Sequence, residues 1–124
     1  MATLLIADDD RANRMRLAQV ARSLGYHLVL ASDGARALAV FRDNPDIACI
    51  ITDWQMPNLD GPGLIAALRQ EGNPVPVLVY SAYRTIGEVG GLLEKGATGF
   101  LPYPVPREAL AEYLGRYVFQ GKGA

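Results

Sequence analysis

The chain has few of the residues that build disulfides, histidine metal sites or membrane spans. It contains one cysteine, Cys49, and one histidine, His27, among its 124 residues. A single cysteine excludes an internal disulfide, which favours a reducing, cytoplasmic compartment, and a single histidine excludes a histidine-cluster metal site. No apolar run approaches the ~20 residues that a membrane span needs. The opening MATLLIADDD lacks the basic region of a secretory signal.

Lysine is also scarce, and there is no surplus of positive charge. The formal net charge is −1, and only two of the 12 basic residues, Lys95 and Lys122, are lysines. Direct nucleic-acid binding is therefore not expected, because no basic surplus exists to neutralise phosphates. The length suits one domain, which we place at residues 1–119, followed by a flexible tail at residues 120–124.

Short apolar runs alternate with helical patterns along the chain. The runs are rich in valine, isoleucine and leucine and mostly unbroken by charge, which is typical of strands buried on both faces of a parallel sheet. They are Thr3–Ala7, His27–Ala31, Ile47–Thr52, Val77–Tyr80 and Gly99–Leu101. Repeated strand–helix units predict an open, doubly wound α/β sheet, since the chain is too short for a closed barrel.

The helical patterns carry start and stop signals. Gly25 and Gly72 are expected to end the first and third helices, and Asp33 is expected to cap the second. Thr85 and Glu88 have the spacing of a capping box at the start of the fourth. The fourth helix is predicted from the apolar residues Ile86, Val89 and Leu93.

Carboxylates follow two of the predicted strands. Asp8, Asp9 and Asp10 follow the first run, and Asp53 follows the third. Ligands of such sheets bind at the carboxyl ends of the strands, so these carboxylates are expected to meet there and to raise one another's pKa. Mg²⁺ would relieve the repulsion, because it takes carboxylate, water and phosphate oxygens. The alternative interpretation is that they are solvated loop or capping residues.

Residues 51–61, ITDWQMPNLDG, resemble the phosphoacceptor loop of receiver domains in two-component response regulators, particularly the chemotaxis-type single-domain ones. The LLIADDD opening, the VYSA strand end and the ATGFLPYP segment follow in matching order and spacing. The resemblance therefore covers essentially the whole chain. It implies a flavodoxin-like, five-stranded parallel sheet in the order 2-1-3-4-5, with five helices.

The resemblance also implies roles for the residues at the strand ends. Asp53 would accept a phosphoryl group from a histidine kinase or phosphotransfer protein. Asp9, Asp53 and the backbone carbonyl of Gln55 would bind Mg²⁺, and Asp8 would act through a bound water. Ser81 would hydrogen-bond a phosphoryl oxygen. The domain would be a switch rather than an enzyme, and the fourth helix, fifth strand and fifth helix would form its face for an effector protein or output domain.

The sequence departs from the family pattern at Tyr103, where the family has lysine before Pro104. A tyrosine donates one neutral hydrogen bond, and charge-assisted bonds are about twice as strong. Arg11 and Arg84 are candidate substitutes for the ammonium, or else solvated loop arginines. Phe100 stands where the family carries its switch aromatic, or is simply a core residue. The resemblance also predicts a cis Tyr103–Pro104 peptide.

Two other functions stay open at this point. A pseudo-receiver would keep the fold and dock proteins without responding to phosphate, which the absence of the lysine favours. A phosphohydrolase with a nucleophilic aspartate would use an Asp-x-Asp such as Asp8–Asp10. The following Arg11 and Ala12 do not match that class, and the chain leaves no room for a cap domain. We expect a monomer or weak dimer.

Overall fold

The computed structural model describes residues 1–118, so the predicted tail at residues 120–124 lies outside it. Its five strands form one parallel sheet in the order β2-β1-β3-β4-β5, which confirms the predicted order. The strands are β1 Thr3–Ala7, β2 His27–Ala31, β3 Cys49–Asp53, β4 Val77–Tyr80 and β5 Gly99–Leu101. The parallel pairing brings the carboxyl ends of all five strands to one edge.

Helices cover both faces of the sheet. They are α1 Arg11–Ser23, α2 Gly34–Asp43, α3 Gly61–Gln70, α4 Ile86–Glu94 and α5 Arg107–Tyr117. Buried residues of α1 and α5 pack on one face, and buried residues of α2, α3 and α4 pack on the other. Within β1, Leu4 and Ile6 face the first layer, Leu5 and Ala7 face the second, and all four are fully buried. This alternation explains why the strands read as unbroken apolar runs.

The helix ends follow the local signals in the sequence. Gly25 and Gly72 have positive φ values of 96° and 75° just beyond α1 and α3. Asp33 accepts a hydrogen bond from the Arg36 amide at 2.7 Å at the start of α2. Thr85 and Glu88 form the predicted capping box at the start of α4. The Asp33 cap and the capping box of Thr85 and Glu88 satisfy amides in the first turns of α2 and α4.

The third strand begins later than its apolar run. The run starts at Ile47, but β3 begins at Cys49 and extends to Asp53. The Ile47 amide donates to the Asn44 carbonyl at 3.1 Å, so the backbone there still belongs to the turn after α2. Ile47 is buried without being paired. Asp53 pairs with Tyr80 of β4, which fixes its backbone within the sheet.

Cys49 is fully buried at the start of β3. Burial raises the pKa of its thiol to about 12. Because the thiolate is the nucleophilic form, this cysteine behaves as a small apolar core residue.

The fourth helix forms as predicted, but the apolar residues that predicted it face outward. Ile86 is 94% exposed and Leu93 is 43% exposed, whereas Leu92 is buried against the sheet. The reason is geometric: residues 86, 89 and 93 share one helical face, and the neighbouring Leu92 takes the sheet-facing position. The outward face of α4 is therefore apolar.

The loop after β3 packs tightly against the start of α2. Asn58 adopts a positive φ of 70°, and its side-chain amide donates to Asp33 at 2.8 Å. A Cβ added at Gly34 would lie 2.0 Å from the Leu59 carbonyl oxygen. Only glycine fits this approach, so Gly34 and Asn58 hold the loop that follows Asp53.

None of the helices within residues 1–118 combines the length and apolar character needed to cross a membrane.

Candidate functional site

The carboxylates that follow the strands meet in one cavity. Asp8, Asp9 and Asp53 each place one carboxylate oxygen within 4.8 Å of the others. Residues from all the central strand ends line this cavity of about 370 Å³: Asp8, Asp9, Asp10, Asp53, Gln55, Ser81, Ala82 and Tyr103. Asp10 lies at the exposed rim, where its carboxylate also caps α1 by accepting from the Ala12 amide at 3.1 Å. The expected convergence at the carboxyl edge of the sheet is therefore present.

The Asp8 carboxylate is held by three donors, none of which the sequence analysis identified. Asp8 is 1% exposed. Its Oδ1 accepts from the Asp10 amide at 2.8 Å, and its Oδ2 accepts from the Asn13 side chain and from the Tyr80 hydroxyl. Two of these donors had a signal in the sequence. Asn13 is a polar residue on the buried face of α1, and Tyr80 has a hydroxyl at the end of a buried strand. The donors orient the Asp8 carboxylate beside Asp53.

Asp53 sits in an environment that disfavours its charge. Partial burial and then the neighbouring Asp8 charge raise its pKa to about 6, against hydrogen bonds from the Gln55 and Trp54 amides that lower it. A raised pKa makes the ionised carboxylate more basic and a better acceptor for an electrophile or a cation.

The donor set fits a hard divalent cation. Three carboxylates contribute closely spaced oxygens, and the cavity is open enough to hold waters. Mg²⁺ is bound in proteins by one or two carboxylates with several waters, rather than by a closed protein cage. The Gln55 backbone borders the same cavity. The residues present therefore suit Mg²⁺ better than zinc, which prefers sulfur and imidazole ligands.

Replacing Asp53 with asparagine is expected to stabilise the metal-free protein at neutral pH. Folding raises the Asp53 pKa from 3.8 to about 6, so the native protein loses stability as pH rises through that range and the variant does not. Thermal unfolding with a chelator should show a higher Tm for Asp53→Asn above about pH 7, with the difference vanishing as pH falls below about 4. A difference independent of pH would contradict the raised pKa.

Ser81, directly after β4, also lines the cavity and is in contact with Arg84. The Arg84 Nε donates to the Ser81 Oγ at 3.2 Å. The Arg84 guanidinium also lies 4.3 Å from the centroid of the Trp54 ring. Trp54 in turn makes an edge contact with Phe100, with ring centroids 6.1 Å apart. A continuous path of side chains therefore runs from the loop after β4, through Trp54, to β5.

Tyr103 borders the cavity without bringing a charge. Its ring stacks on Tyr80 at a centroid distance of 6.1 Å and an interplanar angle of 11°. It is 44% exposed, and the peptide to Pro104 is cis, as predicted. Arg84 and Arg11 are the two candidate substitutes for the family's lysine. Arg84 lies beside Ser81, whereas Arg11 lines a separate cavity with Arg14 and Arg36.

The fold and the cavity define a doubly wound α/β domain with an acidic ligand site at the carboxyl edge of its sheet. Residues 4–115 match the family model of the response regulator receiver domain. Over 114 residues the chain is 40% identical to response regulator MprA of Mycobacterium leprae, covering 91% of this chain and 48% of that protein. The MprA of Mycobacterium bovis is 39% identical, and the match covers 91% of this chain and 47% of that protein. The chain thus spans about half the length of these curated relatives.

Solved structures give the same result. A putative response regulator from Chloroflexus aurantiacus is 30% identical with a TM-score of 0.86, covering 94% of this chain and 96% of that one. Chemotaxis protein CheY4 of Vibrio cholerae is 28% identical with a TM-score of 0.87, and the match covers 95% of this chain and 99% of that one. The chain belongs to the response regulator receiver domain family and is a receiver domain of two-component signalling.

Proposed function

We propose that Asp53 is the phosphoacceptor of a Mg²⁺-dependent switch. Asp9, Asp53 and the Gln55 backbone carbonyl would hold the metal, and Asp8 would contact it through water. When bound, Mg²⁺ would neutralise charge on the transferring phosphoryl group. The observation that carries the proposal is the meeting of Asp53, with its raised pKa, and two further carboxylates in one open cavity.

In phosphoryl transfer to Asp53, the protein would mainly position the reacting groups. An Asp53 oxygen would attack phosphorus, forming a P–O bond, while the bond from phosphorus to the donor's histidine nitrogen breaks. The Gln55 and Trp54 amides, which lower the Asp53 pKa, keep its carboxylate oriented. Ser81 would donate its hydroxyl to a phosphoryl oxygen. The chain would therefore store a signal rather than turn over a substrate.

The proposed partners follow from the same assignment. A histidine kinase or phosphotransfer protein would donate the phosphoryl group, and an effector protein or output domain would respond to it. The outward apolar face of α4, including the exposed Ile86 and Leu93, supplies a surface for the second contact. The chain would act as a monomer or weak dimer in the cytoplasm, without direct contact to nucleic acid.

The test uses a small phosphodonor, so that no cognate kinase is needed. The protein is incubated with acetyl phosphate with and without Mg²⁺, and phosphoryl incorporation is measured by intact mass. We expect incorporation only with the metal. Beryllofluoride binding, measured by calorimetry, supplies a stable analogue of the same state. Failure of both would favour the pseudo-receiver, the second candidate, which is supported by the uncharged Tyr103 at the cavity.

A lysine in place of Tyr103 should have opposite effects on the two ligands. Its ammonium would compete with Mg²⁺ for the carboxylates at rest and then bind the phosphoryl group. Calorimetry of Tyr103→Lys should show weaker binding of Mg²⁺ alone and roughly tenfold tighter binding of Mg²⁺-beryllofluoride, since a bond to a charged group contributes about 1.5–3 kcal/mol. Tyr103→Phe, which keeps the ring on Tyr80, is the matched control.

The outcome also separates the two functions. Beryllofluoride binding by Tyr103→Lys but not by the native protein would show that the native chain is a pseudo-receiver. Unchanged affinities in the lysine variant would contradict the inferred place of residue 103 at the phosphoryl group.

A further inference from the structure

The Arg84 side chain joins the phosphoacceptor cavity to α4. Its Nε donates to the Ser81 hydroxyl at 3.2 Å, and its Nη1 donates to a carboxylate oxygen of Glu88 at 3.2 Å. The guanidinium stands over the Trp54 ring, 4.3 Å from its centroid. The Arg84 guanidinium therefore contacts Trp54, which follows the proposed acceptor, and Ser81, the predicted hydrogen-bond donor to the phosphoryl group. It also contacts the first turn of α4 through Glu88.

Arg84 differs from the other arginines that form ion pairs among the described residues. Its side chain is 15% exposed, whereas those of Arg42 and Arg116, which pair with Glu71 and Glu112, are 56% and 58% exposed. Screening by water makes exposed pairs nearly neutral in free energy. A guanidinium held under partial burial interacts more strongly with charges nearby.

The cavity itself lacks a positive charge. Four aspartates and no arginine or lysine are among the described residues that line it. A phosphoryl group on Asp53 would carry close to two negative charges near neutral pH, in place of the single charge of the carboxylate. Arg84 lies one hydrogen bond away through Ser81, and a guanidinium can donate two parallel bonds to a phosphoryl group.

We propose that Arg84 is the cation that binds the phosphoryl group on Asp53, and that it does so by leaving Glu88. The inference rests on the proposed phosphorylation of Asp53 and goes beyond it by naming the residue that carries the signal to α4. At rest, Glu88 restrains the guanidinium. In the phosphorylated state the guanidinium moves with Ser81 toward the phosphoryl oxygens, and α4 loses its ion pair to the loop after β4.

The exchange of Arg84 between Glu88 and the phosphoryl group can be measured through the affinity for a phosphoryl analogue. Because the Arg84–Glu88 pair competes with the phosphoryl group, weakening the pair must tighten binding of the phosphoryl analogue. The competition also gives α4 two states that differ in one defined contact, which is what a ligand needs to shift an equilibrium.

Glu88→Gln tests the competition without removing the helix cap. A glutamine at this position still completes a capping box through its one carbonyl oxygen. The substitution removes the charge and the second oxygen, which accepts from Arg84. Calorimetric titration with Mg²⁺-beryllofluoride should show binding about two- to fivefold tighter than in the native protein, in keeping with the strength of such ion pairs. Glu112→Gln is the control, since it breaks the other ion pair of the same four-residue spacing, on α5. Its affinity should equal the native value.

Arg84→Gln, alone and combined with Glu88→Gln, completes a double-mutant cycle. It should weaken beryllofluoride binding about tenfold, and Glu88→Gln should have no further effect in its presence. Amide NMR should show analogue-induced shifts at Val89 and Leu92 of α4 in the native protein and not in Arg84→Gln. Equal effects of Glu88→Gln with and without Arg84, or unchanged binding by Arg84→Gln, would overturn the coupling while leaving phosphorylation intact. Absence of analogue binding by the native protein would overturn both.

Discussion

Asp53→Asn is expected to abolish phosphorylation by acetyl phosphate while leaving the protein folded. The amide is a far weaker nucleophile than the carboxylate, and the change removes the charge of one of the three carboxylates that meet in the cavity. Removing an acidic ligand also weakens attraction for Mg²⁺. The measurement is phosphoryl incorporation by intact mass, with circular dichroism to confirm folding. We expect no incorporation within the time in which the native protein is fully labelled.

A control separates the site from the general loss of an acid. Asp46→Asn makes the same chemical change at an exposed position before β3, at the opposite end of the sheet from the cavity. It should be labelled as fast as the native protein. Full labelling of Asp53→Asn would mean that another carboxylate is the acceptor, with Asp9 as the first to examine.

Gly34→Ala should cause a large loss of stability. Its Cβ would lie 2.0 Å from the Leu59 carbonyl oxygen and 2.7 Å from the Leu59 carbonyl carbon, both in backbone that cannot rotate away. Crowding of this kind costs about 1–3 kcal/mol or more. The loop would have to move, and because it follows Asp53 and Gln55, Mg²⁺ affinity should fall as well.

The same substitution on α4 should have the opposite sign. A Cβ at Gly90 would meet no described atom within 4 Å. Gly90→Ala should stabilise the protein by about 1 kcal/mol, because alanine is the better helix former. Denaturant unfolding of both variants provides the measurement. If Gly34→Ala were as stable as the native protein, the contact between Gly34 and Leu59 would not exist in solution.

Much of the fold could be predicted because its signals are local. Apolar runs, capping residues and glycines after helices each act within a few residues, and they predicted every strand and helix here. The boundary of β3 was the exception, since burial of Ile47 looks the same in the sequence whether or not its backbone is paired. The convergence of Asp8, Asp9 and Asp53 followed from topology alone.

The finer parts of the site depend on contacts between distant residues. Tyr80 donates to Asp8 across the sheet and stacks on Tyr103. A hydroxyl at the end of β4 indicates that a polar partner is needed, but the β4 sequence alone does not say which residue that partner is. The outward direction of Ile86 was also hidden, because a helix pattern shows which residues share a face but not which face meets the sheet. The roles of Asp9, Gln55, Ser81 and Phe100 stay predictions.

The buried thiol of Cys49 makes the protein convenient for attaching probes. With its pKa raised to about 12 and no exposed surface, it should resist maleimide reagents in the folded state. A cysteine introduced on the outward face of α4 would then be the single reactive thiol in the chain. A spin label or dye could be placed there without first deleting the native residue. Movement of that helix could be followed directly while the core remains untouched.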